Sequence, residues 1–345
     1  MLQLKNTTPF TVGMALFPNE KGIDTLYVTV KATFTLKGQS LTVAEQQLPM
    51  RMTDMFWGEP GQSSLKFAAE VQPTKPATDV ALVGTAHAPD ARPVSQLDVS
   101  LRVGPVRKVI RVFGDRQWTG DDREARISPP LPFTTMPLIY ERAFGGKHEA
   151  DPARGEILFE ARNPVGKGFP GGRALREMSG LPLPNLEDPA RLIRQIQDLP
   201  NPAGYGYCSP TWEPRKALAG TYDAAWTQRR APYLPEDFNP RFFNAAHPDL
   251  ICPEYLRGGE PVLLQNLSPT GPISFSLPLC EFDTTVDLAG TDVMPRMNLD
   301  TVLLEPDEAR LSLFWRTGVE CDKKALKVSQ VDVALKNFVM NGEKV

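Results

Sequence analysis

Alternating apolar and polar positions mark strands in the first third of the chain. Tyr27 to Leu36 reads YVTVKATFTL, which is rich in β-branched and aromatic residues and predicts a half-buried strand. Val99 to Phe113 predicts a hairpin, because apolar and polar residues alternate on both sides of a Gly104-Pro105 turn. The run TDVALVGTA at 78–86 predicts another short strand, and residues 92–97 lead into the hairpin.

The last third of the chain has the same character. Pro261 to Leu279 and Arg310 to Thr317 have strand composition, and Leu326 to Leu335 alternates. LKNTTP at 4–9 also matches LQNLSP at 264–269. Two interpretations stay open: two related β modules at the ends of the chain, or chance similarity between short strand-turn pieces.

Helix signals are few. Asp188-Pro189 can supply a cap and a first helical residue, and four apolar residues between 192 and 199 form one face before Pro200. This pattern predicts a short amphipathic helix over 188–199 whose apolar stripe packs into the core. The run TYDAAWT at 221–227 indicates a further turn or two of helix.

Between the two β regions lies a stretch, residues 140–260, that reads as one very long loop. It contains 15 Pro, 13 Gly, 12 Arg and 14 aromatic residues, including six of the seven tyrosines. Disordered segments are poor in aromatic residues because they cannot bury enough apolar surface to offset chain entropy. The composition therefore indicates an ordered, packed layer, and its residue types are those enriched at protein–protein contacts.

These patterns predict a mainly β protein, with antiparallel sandwich-like sheets, a long ordered loop-rich central region and one or two short helices. The 34 Pro and 26 Gly residues disfavour long helices. We predict an N-terminal β module at 1–139, a central region at 140–260 packed on the sheets, and a C-terminal β module at 261–345. One continuous domain is the alternative division.

Composition indicates which classes of partner and which cell compartment to expect. The net charge is −3 with acidic and basic residues interleaved, so the sequence predicts no nucleic-acid partner. No signal-peptide pattern and no apolar run long enough to span a bilayer is evident, so we expect a cytoplasmic protein without a membrane partner. The four widely spaced cysteines are expected to be free, buried thiols. The oligomeric state is not predicted.

Candidate chemistry is sparse. Residues 166–171 (GKGFPG) formally match G-x-G-x-x-G, but Pro170 stands where a helix should open, so a structural loop is the favoured interpretation. The three histidines lack the spacing of a metal site, and we predict no cofactor or metal. Folding could bring Cys208 together with His148 or His247 as a nucleophile–base pair, which leaves a hydrolase-like enzyme as a competing hypothesis.

Mixed aromatic and arginine clusters recur through the central region. Arg and Asp side chains there can satisfy backbone groups that irregular structure leaves unpaired, while the rings form core; about two thirds of them are expected to act in this way. The remainder would form an exposed platform. As partner-binding or motif residues we select Tyr140, Arg142, Phe144, Trp212, Arg215, Tyr222, Trp226, Arg230, Phe238 and Arg241.

The same clusters carry a family resemblance. Six ordered segments resemble a bacterial family of unknown function whose members are commonly encoded beside genes for the type VI secretion spike (VgrG), PAAR and PAAR-like proteins. They are YERAFGG (140–146), NPVGKGF (163–169), LPNLEDP (183–189), AGTYDAAW (219–226), RRAPYLPEDFNPRFFNAAHPDL (229–250) and LRGGEPVLLQNLSP (256–269). The resemblance extends over nearly the whole chain, from LKNTTPF at 4–10 to LDTVLLEPDEARLSLFWR at 299–316.

The resemblance implies an adaptor or chaperone that binds an effector or a PAAR-type tip protein and assists its loading onto the VgrG spike. It transfers no catalytic residues. The expected partners are therefore proteins: a type VI effector, a PAAR or PAAR-like protein, and VgrG. Besides the Cys/His enzyme, a structural component that stays with the assembled spike is an alternative.

Overall fold

A computed structural model describes residues 2–121, 123–151 and 153–344. Strands make up 43% of the chain and helical turns 10%, which confirms the prediction of a mainly β fold. Within the described ranges, no helix combines the length and the apolar character needed to cross a membrane.

The first third of the chain is almost entirely strand and turn. Its elements are β1 (Gln3–Asn6), β2 (Thr11–Pro18), β3 (Asp24–Lys37), β4 (Ser40–Val43), β5 (Met55–Phe56), β6 (Leu65–Phe67), β7 (Asp79–Leu82), β8 (Thr85–His87), β9 (Gln96–Val103), β10 (Val106–Phe113), β11 (Trp118–Gly120), β12 (Ala125–Ile127) and β13 (Thr135–Pro137). The predicted hairpin is confirmed as β9 and β10. The single strand predicted at 78–86 is two strands, β7 and β8.

The central region holds short strands and both α-helices. They are β14 (Phe144–Gly145), β15 (Lys147–Asp151), β16 (Glu156–Phe159), β17 (Lys167–Gly168), α1 (Leu175–Met178), β18 (Leu186–Glu187) and α2 (Ala224–Arg229). Single 3₁₀ turns occur here and elsewhere at Pro89–Ala91, Tyr140–Arg142, Lys216–Ala219, Pro240–Phe243, Pro248–Leu250, Pro306–Glu308 and Asp322–Lys327.

The last third returns to long strands: β19 (Pro261–Gln265), β20 (Ile273–Ser276), β21 (Leu279–Leu288), β22 (Thr291–Val293), β23 (Asn298–Glu305), β24 (Arg310–Glu320), β25 (Val328–Met340) and β26 (Glu343–Lys344). Each segment predicted here contains strand, and β24 and β25 extend beyond the predicted ends.

Three large sheets enclose one core. The terminal sheet has the order β1-β25-β21-β22, with β26 beside β25; the hairpin sheet has β18-β10-β9-β19-β20; the central sheet has β2-β3-β24-β23-β7, with β4 beside β3. Most neighbours are antiparallel, whereas β1–β25 and β7–β23 are parallel. Buried apolar residues from all three sheets form a single cluster, which is the sandwich-like packing that the sequence predicts.

The two ends of the chain share these sheets. β3 pairs with β24 over eleven residues, β9 pairs with β19, and β1 pairs with β25. The division at residues 139 and 260 stays a prediction, but neither flanking segment builds a large sheet from its own strands alone. The repeat hypothesis is wrong: β1 is not paired with the strand that follows it, whereas β19 forms a hairpin with β20 in a different sheet.

The central sheet is covered on both faces, so the expectation of a half-buried β3 is wrong. Val28, Val30 and Ala32 point into the main core. The intervening Thr29 and Lys31 are equally buried, on a second face that we call the polar face. Irregular segments from elsewhere in the chain lie over this face and exclude water from it, which the alternation of β3 does not reveal.

Buried ion pairs occupy the polar face. Lys31 Nζ lies 2.7 Å from a Glu70 carboxylate oxygen, and Arg316 Nη1 lies 2.7 Å from Asp300 Oδ2. Lys75 Nζ donates to Asp79 Oδ2 at 2.8 Å. All six side chains are almost fully buried. A buried charge is tolerated only when it is paired and hydrogen-bonded, so these contacts fix where the covering segments lie.

The helix predicted over 188–199 does not form. The Glu187 carboxylate accepts from the Ile193 N–H at 2.8 Å, and the Asp198 carboxylate accepts from the Arg194 and Gln195 N–H groups at 2.8 and 3.0 Å. Carboxylates that capture backbone donors compete with the helical ladder. Ile193 is still buried in a small core cluster with Ile196 against it, whereas Leu199 is 51% exposed, so only part of the predicted apolar stripe packs into the core. The turn indicated at 221–227 is confirmed as α2.

Replacing Asp79 by Ala is expected to reduce the free energy of unfolding by about 3–5 kcal/mol, because it leaves the Lys75 ammonium buried and unpaired. Asp79 also accepts from Asn244 Nδ2 and the Ala245 N–H, both at 2.8 Å, and those bonds would be lost too. Urea unfolding monitored by tryptophan fluorescence measures the difference.

The matched control is Asp283→Ala, which removes an aspartate paired with Lys336 at 3.6 Å on the surface. Exposed pairs contribute little, so the expected loss is below about 1 kcal/mol. Similar losses for the two variants would contradict the role given to the buried network.

Candidate functional site

Half of the residues selected from the sequence lie in the interior. Tyr140, Phe144, Trp212, Arg215 and Phe238 are all buried. The rings of Tyr140 and Trp212 meet edge to face with centroids 5.5 Å apart, a favourable aromatic geometry. Arg215 donates to the carbonyl oxygens of Cys208 and Phe242, both at 2.8 Å. These five side chains hold the loop layer together.

The formal G-x-G-x-x-G segment is part of the same internal framework. Lys167 and Gly168 form β17, which pairs in parallel with β14. Asn163 Nδ2 donates to the carbonyl oxygens of Tyr140 and Phe144 at 2.8 and 3.0 Å. A Cβ at Gly166 would collide with this amide, which explains the glycine. The structure gives this loop a backbone-packing role.

Arg142 lies at the edge of a surface cavity of about 780 Å³. Its Nη1 donates to Asn185 Oδ1 at 3.1 Å and lies 3.7 Å from Asp115 Oδ1. Lys167 Nζ lies 3.8 Å from the same oxygen. The hydrogen bond from Asn185 and the two cations hold the pKa of Asp115 below its usual range. Asp115 thus neutralises much of the basic charge at this cavity.

An exposed aromatic patch, defined here as Tyr222, Trp226 and Tyr233, lies on and beside α2. Tyr222 is 54% exposed, Tyr233 is 40% exposed, and Trp226 is half-buried. The rings of Tyr222 and Trp226 meet edge to face with centroids 4.7 Å apart. Large rings with one face in water are typical of protein-binding surfaces.

Local hydrogen bonds hold the patch in place. Asp223 caps α2 by accepting from the Trp226 N–H at 2.8 Å, and Trp226 Nε1 donates to the Tyr233 carbonyl at 2.8 Å. Arg230 donates to the carbonyl oxygens of Leu234 and Glu20, at 2.8 and 2.7 Å. The bond to Glu20 ties the patch to the turn between β2 and β3, so a partner would meet a preorganised surface.

Arg241 is exposed in the 3₁₀ turn Pro240–Phe243, whose core side is the ring cluster of Phe238, Phe242 and Phe243. The sequence-based selection therefore divides into buried residues, the Arg142 cavity, and a surface group that comprises Tyr222, Trp226, Arg230 and Arg241.

The exposed apolar residues that were not selected from the sequence include Tyr233 and three residues of the β15–β16 hairpin. Tyr233 belongs to the aromatic patch. Its position in the aromatic-rich segment at 229–250, close to the selected Arg230, was a usable signal. The β15–β16 hairpin exposes Ile157, Leu158 and Phe159, and Phe159 is 57% exposed. In the sequence these three apolar residues are consecutive and lie between Glu156 and Glu160. A run without alternation, with an acidic residue at each end, was the available signal for this exposed hairpin.

The candidate nucleophile Cys208 and the candidate base His247 are both buried. Burial raises the pKa of the Cys208 thiol, whose sulfur lies 3.5 Å from the Tyr140 hydroxyl. His148 Nδ1 contacts the Gly171 carbonyl. His247 Nδ1 accepts from the Asp249 N–H at 3.1 Å, and its Nε2 lies 3.1 Å from the Pro202 carbonyl, so the neutral ring is fully engaged. Within the described part of the chain, no cluster of three or more potential ligand side chains is positioned for a metal ion.

The His247 ring is expected to make stability depend on pH. Burial, followed by the charge of Lys108, lowers its pKa from 6.5 to about 4, against the opposing charge of Asp249. Because the folded pKa lies below the unfolded one, the neutral ring stabilises the fold above pH 6.5. That stability is lost as the pH falls through about 4, by roughly 3 kcal/mol in all.

Urea unfolding between pH 7 and pH 4 tests this expectation with His247→Asn as the comparison. Glu187, whose pKa burial raises to about 6, acts in the opposite direction in both proteins and cancels in the difference. The wild type should lose more stability than the variant; parallel curves would show that His247 does not titrate as described.

Comparison with known proteins identifies the family but no characterised relative. No curated protein and no solved structure matched the chain. A family model described as an uncharacterized protein conserved in bacteria (DUF2169) matches residues 21–316, which include the whole hairpin sheet and the aromatic patch but not β1, β2, β25 or β26. The chain belongs to this bacterial family of uncharacterized proteins.

Proposed function

We propose that the protein is an adaptor or chaperone of a bacterial type VI secretion system. It binds an effector or a PAAR-type tip protein in the cytoplasm and assists loading onto the VgrG spike. The observation that carries the binding role is the preorganised aromatic patch of Tyr222, Trp226 and Tyr233. The secretion context rests on the resemblance of the six sequence segments.

The composition of the patch suits recognition of a folded partner. Tyr, Trp and Arg are the residues most enriched at the energetic centre of protein interfaces. Arg230 lies beside the rings of the patch. The Arg230 guanidinium carbon lies 5.8 Å from the Tyr233 ring centroid. Because Asp223 holds the Trp226 backbone and the Tyr233 carbonyl holds the Trp226 ring, little conformational entropy of this residue is lost on binding.

The competing enzyme hypothesis has less support. A cysteine nucleophile needs a lowered pKa, whereas burial raises the pKa of Cys208. A general base should titrate near neutral pH, whereas the pKa of His247 is lowered to about 4. We therefore propose binding without turnover.

Co-purification with the products of neighbouring VgrG, PAAR and effector genes tests the proposal. We expect one of them to form a stable complex, and we expect Tyr222→Ala and Trp226→Ala to raise the Kd by at least about tenfold, or ~1.4 kcal/mol. Isothermal titration calorimetry measures the change. Trp226→Ala also removes the bond to Tyr233, so Tyr222→Ala is the cleaner variant.

Trp57→Ala is the matched control, because Trp57 is an exposed ring, 42% accessible, that packs under Lys66 elsewhere on the surface. It should leave the Kd unchanged. Failure of every candidate to form a complex would refute the adaptor proposal. If both patch variants melt at the wild-type temperature and bind the partner with an unchanged Kd, the binding surface lies elsewhere on the protein.

A further inference from the structure

A cleft of about 1190 Å³ lies between strand β21 of the terminal sheet and two other segments of the chain. Residues 279–285 of β21 form one wall, and residues 253–257 and 294–299 form the other. The volume exceeds that of an ordinary small-molecule pocket, which is about 300–1,000 Å³. The cleft therefore has room for a chain segment.

The wall formed by β21 is an open strand edge. β22 pairs only with Val286 to Leu288, after which it leaves the sheet at Met294. Leu279 to Thr285 pair with β25 on one side. Across residues 2–121, 123–151 and 153–344, no strand pairs with them on the other. An open edge presents unpaired N–H and C=O groups and is a template for another strand.

The turn between β21 and β22 indicates which main-chain groups face the cleft. Ala289 and Gly290 both have positive φ, 58° and 83°, as a two-residue type I′ turn requires. Such a turn makes Leu288 and Thr291 a hydrogen-bonded pair, and Val286 and Val293 the next one. By the same alternation, the N–H and C=O groups of Thr284 and Phe282 point into the cleft.

Side chains give the cleft an apolar floor and a flexible rim. The rings of Phe282 and Trp315 lie 5.2 Å apart at their centroids, edge to face. Met294 is 77% exposed at the opening. Methionine adapts to different apolar shapes, so its position suits a variable side chain. The exposed charges on the walls include Arg257 and Arg296 as well as Glu254 and Glu281, so the cleft has no strong charge preference.

We propose that this cleft binds an extended peptide segment of a partner protein, which adds to β21 as a further strand and places one apolar side chain against Phe282 and Trp315. The open main-chain groups are specific for an extended backbone. A second copy of the chain is a poor occupant, because its own β21 edge lies equally deep between walls. The proposal is independent of the partner of the aromatic patch and of the secretion system.

The test uses a displayed library of random peptides of about ten residues, which spans a typical strand with its flanks. The full chain is the bait, so no knowledge of a natural partner is required. We expect selected peptides to bind and to share an apolar position. Methylating the peptide N–H groups one at a time should weaken binding at alternate positions only, because alternate groups pair with the strand edge.

Two substitutions locate the site. Thr284→Pro removes a cleft-facing N–H while leaving the pairing with β25, since proline is tolerated where an edge N–H faces outwards. We expect at least about a tenfold rise in Kd, or ~1.4 kcal/mol, measured by fluorescence anisotropy with a selected peptide. Met294→Asp, at an exposed rim position, should also weaken binding and tests the cleft if Thr284→Pro does not fold. Tyr222→Ala should leave peptide binding unchanged.

Several results would overturn the proposal. One is a library that yields no binder; another is a selected peptide that binds Met294→Asp and folded Thr284→Pro as tightly as wild type. N-methylation without an alternating effect would exclude strand addition. A dimer in size-exclusion chromatography that Met294→Asp dissociates would instead assign the cleft to a second copy. None of these outcomes bears on binding at the aromatic patch, which Tyr222→Ala reports separately.

Discussion

Two cations buried in the middle of a sheet govern the architecture of this protein. Lys31 and Arg316 project from neighbouring strands onto the polar face of the central sheet, where water cannot solvate them. Their charges are compensated by Glu70 and Asp300, and Arg316 also donates to the Glu70 carbonyl at 2.7 Å. The chain must therefore carry residues 49–79 across this face. Removing one partner would expose the sheet to an uncompensated charge, whereas a wholly apolar face would lose the directional bonds that position the loops.

The same network indirectly supports the aromatic patch. Asp79 accepts from Asn244 Nδ2 and the Ala245 N–H, which anchors the C-terminal end of the segment that contains the aromatic patch. Arg215 fastens the interior of that segment to the Cys208 and Phe242 carbonyls. The exposed rings are thus supported by a layer that is irregular but cross-linked by side-chain hydrogen bonds to its backbone. Rigidity here comes from side chains that satisfy backbone groups, since regular secondary structure is scarce.

Sequence reasoning predicted the strands well because alternation is a local property, and β9 and β10 lie where the pattern placed them. It failed where the deciding contacts are distant in sequence. The alternation predicted that Thr29 and Lys31 face solvent, because no residue near them in sequence indicates that Glu70 pairs with Lys31. Residues 188–199 had a helical apolar stripe, but Glu187 and Asp198 took the backbone donors. Composition indicated aromatic and arginine contacts in the central region, yet it could not separate the buried Tyr140 and Trp212 from the exposed Tyr222, because exposure depends on tertiary packing.

The pairing of early strands with late ones has a consequence for biosynthesis. β1, β3 and β9 find partners in β25, β24 and β19, so each of the three large sheets stays incomplete until the ribosome has made residues beyond 260. Closing such long loops is slow, and unpaired edges are exposed meanwhile. The nascent chain can therefore form local hairpins such as β2–β3 and β9–β10, but the edges of β1, β3 and β9 that later strands cover stay open until those strands emerge. A cell that makes this protein must keep the unfinished polypeptide from associating with other chains until the strands beyond residue 260 have been synthesised.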